Sequence, residues 1–345
     1  MEVTRGWTHT AFPIDDPSRI GEARRHASSI CTDLNWGEVE AGRLALVINE
    51  LGTNLLRHAT QGRLLIAARA AFDDIEVISI DAGPGMASLE RSMVDGYSTS
   101  GGSPGTGLGA IRRLSSTFEL HSAVPAGTVC VARVARTRDG QGRAPAEAAQ
   151  HFAYGAICLP IRGESVCGDA WGVALDGTRT TAIVADGLGH GPHAAAASQA
   201  ALDVFTERAS GELRHLVEQA HSRLQATRGA ALCVLRIDGD AQTVQCAGAG
   251  NVAVRVVSGV FDRSMITQHG TVGIQIRTPD QSSLDLPQHG VVIIHSDGLM
   301  TRWDTASILP VLERDPVLAA AILFRDFSRG RDDATVVVIR QEERG

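Results

Sequence analysis

Between residues 137 and 150 the sequence reads TRDGQGRAPAEAAQ, a small, polar stretch with glycine and proline and with neither helical nor strand periodicity. This stretch constrains the fold more than any motif does. It splits a 345-residue chain into residues 1–136 and 151–345, and single cores rarely grow much beyond about 250 residues. The split predicts two domains joined by a linker. With 43% hydrophobic and 21% charged residues, the chain has enough apolar material for both cores. The net charge is −7 and no dense Lys/Arg run occurs, which argues against nucleic acid as a partner. The opening residues MEVTRGWTHTAF carry no apolar signal-peptide core. Apolar runs such as VVIIH fall far short of the roughly 20 residues a membrane helix needs, so no membrane association is expected. The six cysteines stand singly with no CxxC pair, which suggests neither a zinc ribbon nor a disulfide framework. The expected location is a reducing cytoplasm.

Periodicity differs between the halves. Before the linker, helices are expected over Asp16–Leu34 and Glu38–Ala59, the second with Leu44, Val47, Ile48, Leu51 and Leu55 on one face. Strands follow at RLLIAARAAF and IEVISID, then a long loop, a helix near Leu108–Ser116, and strands FELHSAV and GTVCVARV. This order predicts an α+β two-layer sandwich. After the linker, strands FAYGAICLPI, AWGVAL and TTAIVADG precede helices near His193–Arg208 and Glu212–Ala226. Strands AALCVLRID, TVQCAGAG, NVAVRVVSG and GVVIIHSDG, a C-terminal helix and a final strand ATVVVIRQ complete the half. Many strands with an inserted helix pair predict two sheets packed face to face and flanked by helices.

In the first half, Glu50, Asn54 and His58 recur every four residues on the second helix and form a polar stripe. The strand ISID runs into Asp81, Gly83, Pro84 and Gly85, and a carboxylate at such a strand end can accept from a buried ligand amine or simply shape a turn. Further on, Gly105, Gly107 and Ala110 satisfy the dinucleotide pattern G-x-G-x-x-[GA]. A dinucleotide loop should follow a hydrophobic strand directly, with an acid ending the next strand about 20 residues later. Here STSGGSP precedes the loop and Glu119 comes too early, so the dinucleotide reading fails.

Taken together, ELGTNLLRHA, DAGPG and GTGLGA resemble the N, G1 and G2 boxes of the Bergerat-type ATP site of the GHKL superfamily, over about Arg43–Val134. DGYSTSGG is similar to the lid of RsbT-like and RsbW-like serine kinases acting on STAS-domain proteins. The resemblance implies that Asn54 holds Mg²⁺ and that Asp81, supported by Thr128, accepts from the adenine amine. It also implies that Gly83 and Gly85 shape the turn, while Gly105, Thr106, Gly107, Leu108 and Gly109 bring backbone N–H groups to the phosphates of ATP. Glu50 is implied to orient or deprotonate the attacking hydroxyl, and His58 to be structural. No helical pair bearing a phospho-acceptor histidine precedes these boxes.

In the second half, Asp169, Asp186, Asp297 and Asp332 stand at strand ends or in tight turns, in CGDAWG, VADGLGHG, IIHSDGL and GRDDATVVV. Each alone fits a turn or cap. Two DG pairs after near-identical apolar strands, plus a DD-x-T before a third, make a shared role the better reading. Carboxylates without Cys or His at ligand spacing favour Mg²⁺ or Mn²⁺ over zinc. GDAW, ADGLGHG, RGAALCVLRID, GAGNV, HSDGL and RDDATVVV resemble, in order, the SpoIIE-like and RsbX-like branch of metal-dependent (PPM-type) serine/threonine phosphatases. The resemblance implies an αββα four-layer sandwich in which Asp186 and the Gly187 carbonyl bridge two ions. Asp297 and Asp332 would hold one ion, and Asp169 would contact the other side directly or through water. Asp333 reads as a residue behind the ligands or in a turn, Asn251 as a turn, and His190 and His193 as loop and helix-start residues. Many relatives carry a second acid three residues after the first motif's Asp; here that position is Gly172, which leaves the number of ions open.

The two resemblances together imply a bifunctional partner-switching regulator. Its first domain would phosphorylate, and its second dephosphorylate, Ser or Thr on a STAS-type protein of a sigma-factor or stressosome pathway. The alternative is a phosphatase whose ATP-binding domain is a non-catalytic regulatory module. The resemblance also allows a homodimer.

Overall fold

The computed structural model describes residues 1–89, 107–136 and 151–342. The linker, the DGYSTSGG motif, Gly105 and Thr106 lie outside the described residues. The chain forms two compact units, His9–Glu147 and, discontinuous in sequence, Met1–Thr8 with Ala148–Gly345.

The short strand β1 (Glu2–Arg5) belongs to the second of these units. The first unit consists of β2 (Thr10–Pro13), α1 (Pro17–Asp33), α2 (Glu38–His58), β3 (Arg63–Arg69), β4 (Asp74–Ile80), α3 (Gly107–Leu114), β5 (Thr117–Ala123) and β6 (Gly127–Ala135). Its sheet runs β2-β3-β4-β6-β5, with every neighbouring pair antiparallel. Asp16 caps α1 by accepting from the Ser18 N–H at 2.7 Å, and Pro17 opens the helix with its φ already set. Glu38 and Glu40 in the first turn of α2, and Arg57 and His58 in its last, complement the helix dipole. Leu44, Val47, Ile48, Leu51 and Leu55 recur at three- and four-residue spacing and are buried against Leu64, Ile66, Ile75, Val77 and Ala132 of the sheet. This is the expected two-layer arrangement. The alternate face of β4 carries Glu76, fully buried between Arg133 Nε at 2.7 Å, His9 Nε2 at 3.3 Å and Arg69 Nη1 at 3.7 Å. Burial alone would raise this carboxyl, but Arg133, Arg69 and His9 outweigh it and hold Glu76 well below the usual carboxylate range.

The second unit continues with β7 (Phe152–Leu159), β8 (Asp169–Asp176), β9 (Arg179–Gly187), α4 (Pro192–Arg208), α5 (Leu213–Leu224), β10 (Ala230–Asp238) and β11 (Thr243–Ala249). Then come β12 (Ala253–Val257), β13 (Asp262–Met265), β14 (Gly270–Thr271), β15 (Gln275–Ile276), β16 (Gln281–Asp285), β17 (Val291–His295), α6 (Pro316–Phe327) and β18 (Ala334–Gln341). One sheet runs β1-β8-β9-β10-β11-β16 and the other β13-β12-β17-β18-β7. Helices α4 and α5 cover the first sheet, α6 covers β7 and β18, and β8 meets β7 and β18 across the middle. The layers are therefore αββα. Strands β13 to β16 escape a reading by hydropathy because DRSM, GT, QI and QSSLD are short and polar, with no apolar alternation.

The expected first domain, residues 1–136, loses its first eight residues to the other unit. The reason is an open sheet edge. β1 pairs antiparallel with β8, Val3 opposite Ala174 and Arg5 opposite Gly172, which supplies partners to backbone groups of β8. The Gly6 N–H then donates to Trp171 O at 2.7 Å. The Trp171 indole donates to Trp7 O at 3.0 Å, and the two rings meet edge to face with centroids 4.7 Å apart. Arg5 reaches α4 through Asp203 at 2.7 Å and Gln199 at 2.9 Å. Burying a tryptophan in this way gives Trp7→Ala an expected cost of about 3 kcal/mol to the second unit. Urea unfolding followed by circular dichroism measures it, and an unchanged midpoint would show that the strap adds nothing.

Candidate functional sites

In the first unit, α2 presents Glu50 and Asn54 on its half-buried flank, one turn apart. Gly107, the first described residue of α3, lies directly over them. A Cβ there would stand 3.1 Å from Glu50 Oε2 and 3.6 Å from both Asn54 amide atoms. Arg43, also on α2, donates to Leu114 O at 2.7 and 3.1 Å and so ties the far end of α3 to the same helix. Leu108 packs on the core, and Gly109 sits in the first turn of α3. A second group gathers at the end of β4. The Asp81 N–H donates to Thr128 O at 3.0 Å, and Asp81 Oδ1 accepts from the Gly83 N–H at 2.7 Å. Gly85 (φ +73°) and Gly127 (φ +83°) leave no room for a side chain, since a Cβ would collide with Ala123 O and Asp81 O respectively. The Thr128 hydroxyl pairs with Ser122 Oγ at 2.9 Å, and Ser122 Oγ accepts from the Met86 N–H at 2.8 Å. Ser122 holds the turn after Asp81 to the β5–β6 hairpin, and nothing in its sequence neighbourhood signals that. His58 is exposed at the end of α2, its carbonyl against Gly83. The structure thus brings together Glu50, Asn54 and Gly107 on one side, and Asp81, Gly83, Gly85 and Thr128 on the other.

In the second unit, β8 and β9 place Asp169 directly opposite Asp186. Opposed residues of an antiparallel pair point to the same face with Cβ atoms about 5 Å apart, where like charges destabilise the sheet. By strand alternation that face is shared with Trp171 and Val184, away from Ala170 and Ile183, which pack under the helices. Gly172 falls on the helix side, where a Cβ would press on Leu202 and Phe205. An acid at that position would not join the cluster. From the facing sheet, Ser296 Oγ donates to Asp169 Oδ2 at 2.7 Å and accepts from the Thr335 N–H at 3.0 Å. Asp169 Oδ1 is buried with no hydrogen-bond partner among the described residues. Asp297 and Asp332 lie in the loops that follow β17 and precede β18. Asp297 Oδ2 accepts from the Asn251 amide, and Asp332 Oδ1 accepts from the Asp333 N–H at 2.9 Å. Asn251 therefore does more than turn the chain, contrary to the sequence reading.

Asp333 is structural: its two oxygens accept from the N–H groups of Ile161 and Gly168 at 2.7 and 2.9 Å, which fixes the approach to Asp169. Gly187 donates its N–H to Gly168 O at 3.2 Å, and a Cβ on it would collide with Ala194 O of α4. His190 Nδ1 pairs with Glu164 Oε1 at 2.8 Å, while His193 is exposed near the start of α4.

The electrostatics of this cluster are unbalanced. Burial, then Asp169, Asp297, Asp332 and Asp333, push Asp186 up to about 9. Burial pushes Asp169 up to about 7 against the pull of Ser296 and Thr335, with Asp333 and Asp332 adding to the rise. Burial and Asp332 raise Asp297, opposed by Arg329 and Asn251. Among the described residues no group of three or more His, Cys, Asp or Glu side chains is closed to metal-holding geometry. The donor chemistry nevertheless fits a hard divalent cation: oxygen donors alone, one of them an orphaned buried carboxylate oxygen, with like charges set in register. Beside Asp297 and Asp332 opens a cleft of about 590 Å³ whose lining includes Arg302, Arg329 and Arg331.

Comparison with known proteins relates each unit to a family. Residues 14–134 match the histidine kinase-like ATPase domain, and residues 176–342 match the stage II sporulation protein E (SpoIIE) family. The serine/threonine-protein kinase RsbT of Bacillus subtilis is 34% identical over 111 residues, which are 32% of this chain and 83% of RsbT. The phosphoserine phosphatase RsbX of the same organism is 31% identical over 94 residues, 27% of this chain and 47% of RsbX; the matched segment thus spans about half of RsbX. Among solved structures, a chain from work on the bacterial stressosome as a modular system adapted to control secondary messenger signaling superposes with TM-score 0.52 at 25% identity. It covers 55% of this chain and 99% of that one. RsbX in complex with magnesium superposes with TM-score 0.51 at 23% identity, covering 56% of this chain and 96% of RsbX, a likeness of fold. The chain therefore belongs to the RsbT-related histidine kinase-like ATPase family in its first unit, and its second unit is similar to the SpoIIE family over residues 176–342.

A cation in the carboxylate cluster would relieve its repulsion, so Mn²⁺ at about 100 times its Kd is expected to stabilise the second unit by about 2.7 kcal/mol, a rise of a few °C in Tm. Asp186→Asn replaces this buried, crowded carboxyl with a neutral amide of the same shape: it should leave the metal-free unit at least as stable and abolish the response to Mn²⁺. Differential scanning calorimetry with and without Mn²⁺ measures both, and a full response in the variant would remove Asp186 from the ligand set.

Proposed function

We propose that this chain is a bifunctional partner-switching regulator that phosphorylates Ser or Thr on a STAS-domain protein and hydrolyses the same kind of phosphoester. The observation that carries this reading is the coexistence in one chain of the glycine-covered Glu50–Asn54 pair and the in-register carboxylate cluster. The partners are STAS phosphoproteins of a sigma-factor or stressosome pathway, in keeping with the relationship to RsbT and RsbX.

In the first unit, Asp81 accepts from the adenine amine and Asn54 offers its carbonyl to the Mg²⁺ that accompanies ATP. Backbone N–H groups at the start of α3, with Gly105 and Thr106 before it, receive the phosphates, and the bare Gly107 lets the chain approach Glu50 closely. Glu50 orients the attacking hydroxyl and takes its proton. In the second unit, Asp186, the Gly187 carbonyl, Asp297, Asp332 and Asp169 hold Mg²⁺ or Mn²⁺. When bound, such ions supply charge neutralisation for the phosphate and a water acidic enough to attack it. Ser296 keeps one Asp169 oxygen occupied and so orients the other, Asn251 does the same for Asp297, and Asp333 fixes the loop before Asp169. Burial of all six described cysteines as free thiols, and the absence among the described residues of a helix long and apolar enough to cross a membrane, support action in the cytoplasm.

The test incubates the protein with a STAS partner, Mg²⁺ and labelled ATP. Label should accumulate more with Asp186→Asn than with wild type, because writing continues while removal stops. Adding Glu50→Ala to Asp186→Asn should cut transfer by about a hundredfold or more. Absence of transfer from both forms would leave the first unit as a nucleotide-binding module. Undiminished hydrolysis of the phosphorylated partner in EDTA would overturn the metal-dependent phosphatase.

A further inference from the structure

The cleft of about 590 Å³ beside the carboxylate cluster is lined by Asp297 and Asp332 together with Arg302, Arg329 and Arg331. The two loops that carry them are tied to each other. The Arg329 N–H donates to Gly298 O at 2.8 Å, the Met300 N–H donates to Phe327 O at 2.9 Å, and Leu299 bridges Ser328. The arginines therefore stand on a frame fixed to the strand ends that bear Asp297 and Asp332. Elsewhere in the unit arginines close ion pairs, such as the exposed Arg179 with Asp238 at 2.8 Å and the half-buried Arg255 with Asp262 at 2.5 Å. No such pair is formed by Arg302, Arg329 or Arg331 among the described residues, and all three are exposed. Arg329 acts on Asp297 only through its charge, drawing the carboxyl down.

The arrangement addresses an electrostatic difficulty. The chain carries a net charge of −7, and its candidate catalytic cluster adds several carboxylates at one point, so an anionic substrate meets repulsion on approach. A cationic lip against that cluster reverses the local field, and guanidinium groups bind carboxylates and phosphates through paired N–H donors. The volume exceeds what one phosphoserine side chain needs and suits a short peptide segment.

We propose that Arg302, Arg329 and Arg331 form a specificity groove for the acidic flank of the phosphoprotein substrate, selecting phosphoserine or phosphothreonine segments that carry Asp or Glu beside the modified residue. This inference rests on the phosphatase reading of the second unit and adds the substrate's local charge.

The experiment uses the full chain, Mn²⁺ and two phosphoserine peptides that differ only in flanking residues, Glu in one and Lys in the other. It measures kcat/KM for each in wild type and in the double variant Arg302→Glu, Arg331→Glu. Wild type should prefer the acidic peptide by about tenfold or more, mainly through KM, with the preference shrinking as salt rises. The double variant should lose that preference or invert it. An equal peptide ratio in wild type, or a ratio unchanged in the variant, would overturn the groove. Should wild type hydrolyse neither peptide, the phosphatase reading falls. Fluorescence anisotropy of the labelled acidic peptide then decides the groove by itself: binding that disappears in the double variant supports it, and binding unaffected by the variant refutes it.

Discussion

Two carboxyl groups, Asp169 and Asp186, stand opposite each other on the neighbouring strands β8 and β9. Nothing in sheet packing favours that pair; it costs stability unless a cation lies between or beside the side chains. The surrounding structure is organised around keeping this arrangement in place. Ser296 crosses from the facing sheet to hold one Asp169 oxygen, Asp333 spends both of its oxygens on the loop before Asp169, and Gly187 lets α4 press against the end of β9. The other two acids come from the opposite sheet, so the cluster exists only where both sheets end together. A carboxyl cluster of this kind is stored repulsion, held by hydrogen bonds that leave one Asp169 oxygen without a partner among the described residues.

The nucleotide-type site of the first unit uses a different economy. Its acids and amides are few, and its shape comes from missing side chains. Gly107 lies over Glu50 and Asn54, while Gly85 and Gly127 allow the chain to pass the end of β4 where a Cβ would strike a carbonyl oxygen. Backbone approach, rather than side-chain charge, is what a phosphate-binding loop requires. One unit therefore concentrates carboxyl groups and the other clears space beside a single acid–amide pair.

Sequence reasoning went furthest where residues act through local periodicity. The helix stripe of α2 and the long apolar strands β4, β9, β17 and β18 announce themselves, because burying one face imposes a 3.6-residue repeat and a buried strand needs a continuous apolar run. The four aspartates are legible for a related reason: an acid straight after such a run marks the end of a core strand. Ser296, Asn251 and Ser122 were not legible as site residues, since a small polar side chain in a loop has the same local signal whether or not an acid or a turn waits for it across the fold. Strand β1 was missed because four residues of mixed polarity carry no pattern, and its partner β8 lies more than 160 residues away.

By itself, then, the sequence determined the two-part division, the fold class of each part, the acids on the strand ends and the glycines of the loops. These follow from patterns within one element, set by helix and strand geometry and by the backbone freedom that glycine alone provides. Only the tertiary structure decided that Asp169 faces Asp186, that Gly172 points away from the cluster, that Asp333 is spent on backbone N–H groups, and that the first eight residues complete the second unit's sheet. Each of these depends on register and on contacts between distant segments, which pairing across the sheet fixes and local composition does not encode.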